Sequence, residues 1–256
     1  MKPPEPVAGT VSPRELALVF LMLAPLAVMF TVVAPIPQDP AYYALADHRA
    51  LWNVPNFFNV ASNLGFLLAG YMGLRLCLGQ GSGGAARSWT VFFFGTLSVA
   101  FGSAYYHWTP DSATLVWDRL PITIAFMALF TALIVEYVRP EIERTLLRIA
   151  VVVGVVSVGW WHYTDDLRLY AWVQFAPLIA IVYVLIAFPA RYTHRAYLVW
   201  GLVFYALAKV AEFADAAIYS ATAHVVSGHS LKHLLAALAP YCLYVMLRKR
   251  TPLASA

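Results

Sequence analysis

The chain has 256 residues, 61% of them hydrophobic and 12% charged, with a formal net charge of +4. A soluble domain holds about 45–50% apolar and about 25% charged residues, so this composition excludes an ordinary soluble domain. It points to an all-α integral membrane protein built as one bundle, with lipid and not nucleic acid as its expected partner.

A bilayer crossing takes about 20 apolar residues. Eight segments read as crossings: 15–35, 56–78, 89–108, 118–138, 145–162, 170–188, 197–219 and 226–247. The first has an apolar core, Leu16 to Pro35, too long for a signal-peptide h-region, and no small-residue cleavage site follows cleanly, so it is expected to stay as a helix. The run GQGSGGAARS at 79–88 reads as a loop. Cys77 and Cys242 both fall in apolar segments and read as small core residues, with no disulfide framework. The 15 Tyr and 8 Trp suit a chain with two membrane interfaces to anchor.

Charge sets the expected orientation. With the N-terminus inside, eight crossings place Lys2, Arg14, Arg75, Arg87, Arg139, Arg144, Arg148, Arg191, Arg195, Arg248, Lys249 and Arg250 on the inner face. Arg49, Arg119 and Arg168 fall outside, while Lys209 and Lys232 lie within segments. This bias predicts cytoplasmic termini. A bacterial inner (plasma) membrane is the expected compartment.

The polar residues gather at one expected level. The third segment runs outward and ends near His107; the fourth begins near Asp118 and runs inward. The eighth starts from SGHSLKHLLAAL, with His229 and His233. Ser103, His107, Asp118, His229 and His233 therefore share the outer-leaflet half of the bundle. Residues four apart on a helix share a face, about 6 Å apart along the axis. His229 and His233 can hold one cation between them, and His107 can supply a third ligand. Three protein ligands with a fourth position open is the layout of a catalytic zinc site, although imidazole also suits copper or iron. Metal-bound water ionises near pH 7. Asp118 can hold that water and accept its proton, and Ser103 can donate to an oxyanion.

Each residue also has an ordinary reading. A lone His-x3-His near a helix end is a weak metal signal. A membrane Ser usually bonds its own i−4 carbonyl or a neighbouring helix. Asp118 could be a helix N-cap. The joint pattern favours a site, because ionisable groups at membrane depth are costly and usually face the bundle interior.

The motifs GSAYYH at 102–107, WDRLP at 117–121 and GHSLKH at 228–233 together resemble the alkaline ceramidases and the wider CREST superfamily of membrane hydrolases, which also contains the adiponectin and progestin receptors. NVASNLGFLLAG at 59–70 resembles the segment that opens the ceramidase core, and EFAD at 212–215 stands where an acidic stretch precedes the final histidine pair. The resemblance implies a seven-helix ceramidase-like core over 47–247, preceded by an extra transmembrane helix and outer loop in 1–46 and followed by a tail, 248–256. It implies a zinc-dependent amidase that cleaves ceramide-like lipids to a fatty acid and a sphingoid base. His107, His229 and His233 would bind zinc, assisted by Ser103 and Asp118. Family members carry an Asp-Trp-x-Glu calcium cluster before the core, whereas DHRALWNVPNFFN at 47–59 has Asp47 as its only carboxylate. Asp47, Asn56 and Asn59 make a doubtful calcium site. The more ordinary reading of Asn56, Asn59 and Asn63 is interhelical hydrogen bonding.

Other polar residues are secondary. Asp215 is a candidate acceptor behind a metal-ligating histidine. Lys209 and Glu212 have ion-pair spacing. His162 reads as an interfacial belt residue, His224 as solvated, and Arg119 as a contact for lipid phosphate. The rival functions are a zinc-binding membrane receptor, a hydrolase of another lipid amide or ester, a haem-binding electron carrier and, last, a transporter.

Overall fold

The computed structural model describes residues 11–80 and 83–253. Lys2, residues 81–82 of the expected 79–88 loop and residues 254–256 of the tail lie outside the described residues.

The protein is an all-α multi-pass membrane bundle. Helix α1 spans Pro13–Thr31, α2 Phe57–Ala61, α3 Leu64–Gln80, α4 Ala86–Trp108, α5 Ser112–Tyr137, α6 Glu143–Thr164, α7 Arg168–Ala187, α8 Ala196–Phe213, α9 Asp215–Ala221 and α10 Gly228–Lys249. Among the described residues, six spans are both long and apolar enough to cross a membrane: α1, α2 with α3, α5, α7, α8 and α10. The two remaining expected crossings, α4 and α6, are 23 and 22 residues long and are not among the six. On α4, Ser88, Thr96, Ser103 and His107 dilute the hydropathy, and all four are buried. The chain places that polarity inside the bundle, where it finds partners.

Local signals fix the helix ends. Ser12 and Glu15 form a capping box ahead of α1, with Pro13 in the first turn. That helix stops at Thr31 and not at residue 35, because residues preceding Pro35 and Pro37 are steered away from helical geometry. Asp111 and Thr114 cap α5 reciprocally, so the helix begins at Ser112 and Asp118 lies nearly two turns inside it. The N-cap role open to Asp118 from sequence belongs to Asp111. The expected segment 56–78 is broken between α2 and α3, and 197–219 is broken at Ala214 between α8 and α9.

Helix α5 is the centre of the bundle and packs on α4, α6 and α7. Helix α10 packs on α3 and α8, and α3 packs on α4. Helix α1 lies outside this group against α7. Only Leu18 and Met22 of α1 are buried, and the Trp172 indole N–H donates to the Met22 carbonyl at 2.8 Å. Arg168 donates to the Val33 carbonyl at 2.7 Å while pairing with Asp166 at 2.8 Å. These bonds tie the segment after α1 over the end of the bundle where α6 gives way to α7.

Candidate metal centre and cavity

Two close helix contacts build the site. Pro121 has no N–H, so the Trp117 carbonyl one turn earlier lacks its helical partner. Gly102 of α4 lies against that carbonyl: a Cβ at this position would stand 2.0 Å from the Trp117 oxygen. The approach brings the Ser103 hydroxyl beside the Asp118 carboxylate. At the other contact, a Cβ on Gly228 would meet the Ala211 carbonyl at 2.2 Å. The start of α10 can therefore settle into the break between α8 and α9.

The start of α10 carries two of the three histidines. His107 Nε2 lies 3.1 Å from His233 Nε2 and 3.2 Å from His229 Nε2. All three residues are buried, and their ligand atoms lie within 4.8 Å of one another. Tetrahedral ligands at about 2.0–2.1 Å from a zinc ion stand about 3.3 Å apart, so the spacing fits. Proton positions fit as well. The Ser62 hydroxyl donates its only proton to the Asn59 carbonyl at 3.1 Å. Its 2.8 Å contact with His233 Nδ1 must then be a donation from the ring, which leaves the lone pair on Nε2. The Lys232 ammonium lies 2.9 Å from His229 Nε2, so that nitrogen also presents its lone pair. Three buried histidines could thus hold a metal ion; Lys232 would compete for one nitrogen and has Glu212, at 3.2 Å, as its other partner.

Asp215 reaches His229 through the main chain and not through the ring. Its Oδ1 accepts from the His229 backbone N–H at 2.7 Å, and its Oδ2 accepts from Ala46 N–H at 3.0 Å. Asn56 donates to the His107 carbonyl at 2.9 Å, closing the end of α4. Asn59 donates to the Asp47 carbonyl and accepts from Ser230 at 3.0 Å. Asn63 donates to the Asn59 carbonyl at 2.8 Å. These bonds lace the segment before the core to α4 and α10. The oxygens named for calcium do not converge: Asp47 is gripped by Arg49 at 2.9 and 2.7 Å, Asn56 Oδ1 faces His48 and Asn59 Oδ1 faces Ser230. Burial raises the Asp47 carboxyl pKa, but the hydrogen bonds and charge of Arg49 outweigh it and hold it below its ordinary value.

A cavity of about 500 Å³ opens beside the histidines. Ser103, Asp118 and His233 line it at one level, and Val99, Leu129, Ile181 and Leu243 continue it as an apolar channel. Between α7 and α8 there are few close contacts, and the bond from Gln174 to the Tyr205 hydroxyl spans the two helices at 2.9 Å. The polar cluster on this wall was only half anticipated. Lys209 pairs with Glu212 as their spacing suggests, but Lys232 joins the same carboxylate from α10. The sequence carries no signal for that three-way contact. His162 is exposed and lies away from the cavity lining.

No curated protein matches the chain. The Ceramidase family model matches residues 46–251, which takes in the three histidines, Ser103 and Asp118. With more than half of its length matched, the chain belongs to the ceramidase family.

Proposed function

We propose that the protein is an integral membrane amidase that hydrolyses the N-acyl bond of ceramide-like lipids to a fatty acid and a sphingoid base. His107, His229 and His233 would hold the metal, zinc by ligand type. The observation that carries the reading is the meeting of three buried imidazole nitrogens at 3.1–3.2 Å with the Ser103–Asp118 pair on the wall of a largely apolar cavity. Membership of the ceramidase family supports an amide as the bond cleaved.

When bound, the metal supplies a Lewis acid and lowers the pKa of the water it holds. The chain's own residues do the rest. Asp118 takes a proton from the water as its oxygen adds to the acyl carbon, then delivers one to the nitrogen as the C–N bond breaks. The products are a fatty acid and a free amine. Ser103 holds the Asp118 carboxylate in position at the start, and once Asp118 is protonated its hydroxyl is free to turn to the oxyanion. The apolar channel below takes the tails and keeps the amide near the polar wall. Asp215 fixes the start of α10 and so the direction of both its histidines.

The positive-inside bias supports cytoplasmic termini with the site in the outer-leaflet half, in a bacterial plasma membrane. The division into an N-terminal extra helix in 1–46, a core over 47–247 and a tail from 248 fits the peripheral place of α1. The grip of Arg49 on Asp47 speaks against a calcium requirement.

The test is hydrolysis of labelled ceramide by purified protein. Asp118→Asn should keep its metal and its thermal midpoint and lose roughly 10²–10⁴-fold in turnover; His233→Ala should lose metal as well. Undiminished turnover in Asp118→Asn would sink the assignment.

A further inference from the structure

Arg119 is not used by the chemistry above, yet it lines the same cavity, one residue after Asp118. It is 5% exposed. Its guanidinium carbon lies 4.0 Å from the ring centroid of Trp161, 4.6 Å from Tyr170 and 5.7 Å from Tyr42. Nη2 donates to Gln38 at 2.5 Å, with the Tyr170 hydroxyl nearby. Nη1 has no partner. Among the described residues no carboxylate lies within ion-pair distance of Arg119. The other buried arginine at this end of the bundle, Arg168, is fully paired with Asp166.

A buried guanidinium with an unsatisfied donor is expensive, and a guanidinium is shaped to take two oxygens of one anion. The surroundings do not neutralise it. Lys209 and Lys232 share one carboxylate, the half-buried Glu212, and Asp118 is the buried acid in the lining; Asp39 is exposed and caps the turn at Pro40–Tyr43. Arg119 is therefore the one lining cation without a carboxylate partner among the described residues. Trp161, which covers the guanidinium, has its own indole N–H unpartnered.

We propose that Arg119 and its aromatic frame are a headgroup subsite, and that the preferred substrate is a lipid amide whose headgroup carries a phosphate- or sulfonate-type oxyanion. This rests on the amidase reading and names its substrate class. The product chemistry agrees: the freed amine becomes a cation, which an anionic headgroup offsets.

The experiment compares N-acyl sphingosine with its 1-phosphate at one acyl length, reading released fatty acid. The wild-type kcat/KM ratio should favour the phosphate by at least about tenfold, and Arg119→Gln should bring that ratio towards one. A wild-type ratio near one, or a ratio unchanged by Arg119→Gln, overturns the proposal and leaves the amidase reading standing. Because Arg119 also holds Gln38, the variant could fail to fold, so the wild-type protein is also titrated with dodecyl phosphate, dodecanol and inorganic phosphate while thermal shift is read. Dodecyl phosphate should act at a concentration at least about tenfold lower than the other two. Equal potency of the alcohol overturns the oxyanion, and equal potency of inorganic phosphate overturns the lipid headgroup. If neither amide is cleaved, the amidase reading fails, while the titration still decides whether Arg119 sits in an anion site.

Discussion

Asp215→Ala tests whether the start of α10 is held by one carboxylate. In the protein Asp215 satisfies two main-chain donors, Ala46 N–H at 3.0 Å and His229 N–H at 2.7 Å. Alanine removes both acceptors at once. A buried donor left without a partner costs about 1–3 kcal/mol. Both bonds are only partly buried, so the lower end applies, and the sum is about 2 kcal/mol. On the scale of a soluble domain of similar size that is roughly 4–8 °C in Tm. The same change frees the backbone of His229, so metal retention should fall together with stability. Asp215→Asn keeps one acceptor oxygen and should lose about half as much. The assay is thermal unfolding of detergent-purified protein, paired with metal content by elemental analysis. An alanine variant with wild-type Tm and wild-type metal content would refute the argument, because it would show that neither N–H depends on this carboxylate.

Two further expectations bear on the ligands and on pH. Ser62→Ala removes the acceptor behind His233 Nδ1 and should weaken metal affinity by about 10–100-fold, with activity restored by excess metal; a metal titration of activity checks it. Asp166, between α6 and α7, is held well below the usual carboxylate range by hydrogen bonds from Arg168, which outweigh its burial. A depressed folded pKa contributes stability that is fully present above the unfolded value of about 3.9 and is lost as pH falls through the folded one. Asp166→Asn should therefore be less stable than wild type at neutral pH, and the gap should close progressively below about pH 4; a gap that stays constant down to pH 2 would contradict this.

Composition alone determined the class of this protein. With so few charges and so many apolar residues, burial in a bilayer is the only way to satisfy the chain, and runs of about 20 residues mark where it crosses. His229 and His233 were legible as a pair because the helical repeat places residues four apart on one face whatever surrounds them. The order of the crossings put His107, Ser103 and Asp118 at the same expected level as that pair, and the motif resemblance then joined all five. Helix starts were less legible: counting the crossing from residue 118 passed over the capping residues Asp111 and Thr114 in the polar stretch before it, and the breaks near Asn63 and Ala214 carry no proline to announce them.

What only the tertiary structure decided is who meets whom across helices. Ser103 lies beside Asp118 because Gly102 lies against the carbonyl that Pro121 leaves free. Asp215 serves backbone N–H groups instead of a ring, Asp47 is taken by Arg49, and Lys232 joins Lys209 on Glu212. Arg119, which sequence could place only near a membrane surface, is buried in an aromatic frame facing the cavity. The physical reason is common to all of them. Periodicity fixes directions along one helix, but partners on different helices are set by how closely the helices approach and by the turn at which they touch, and no local signal encodes either.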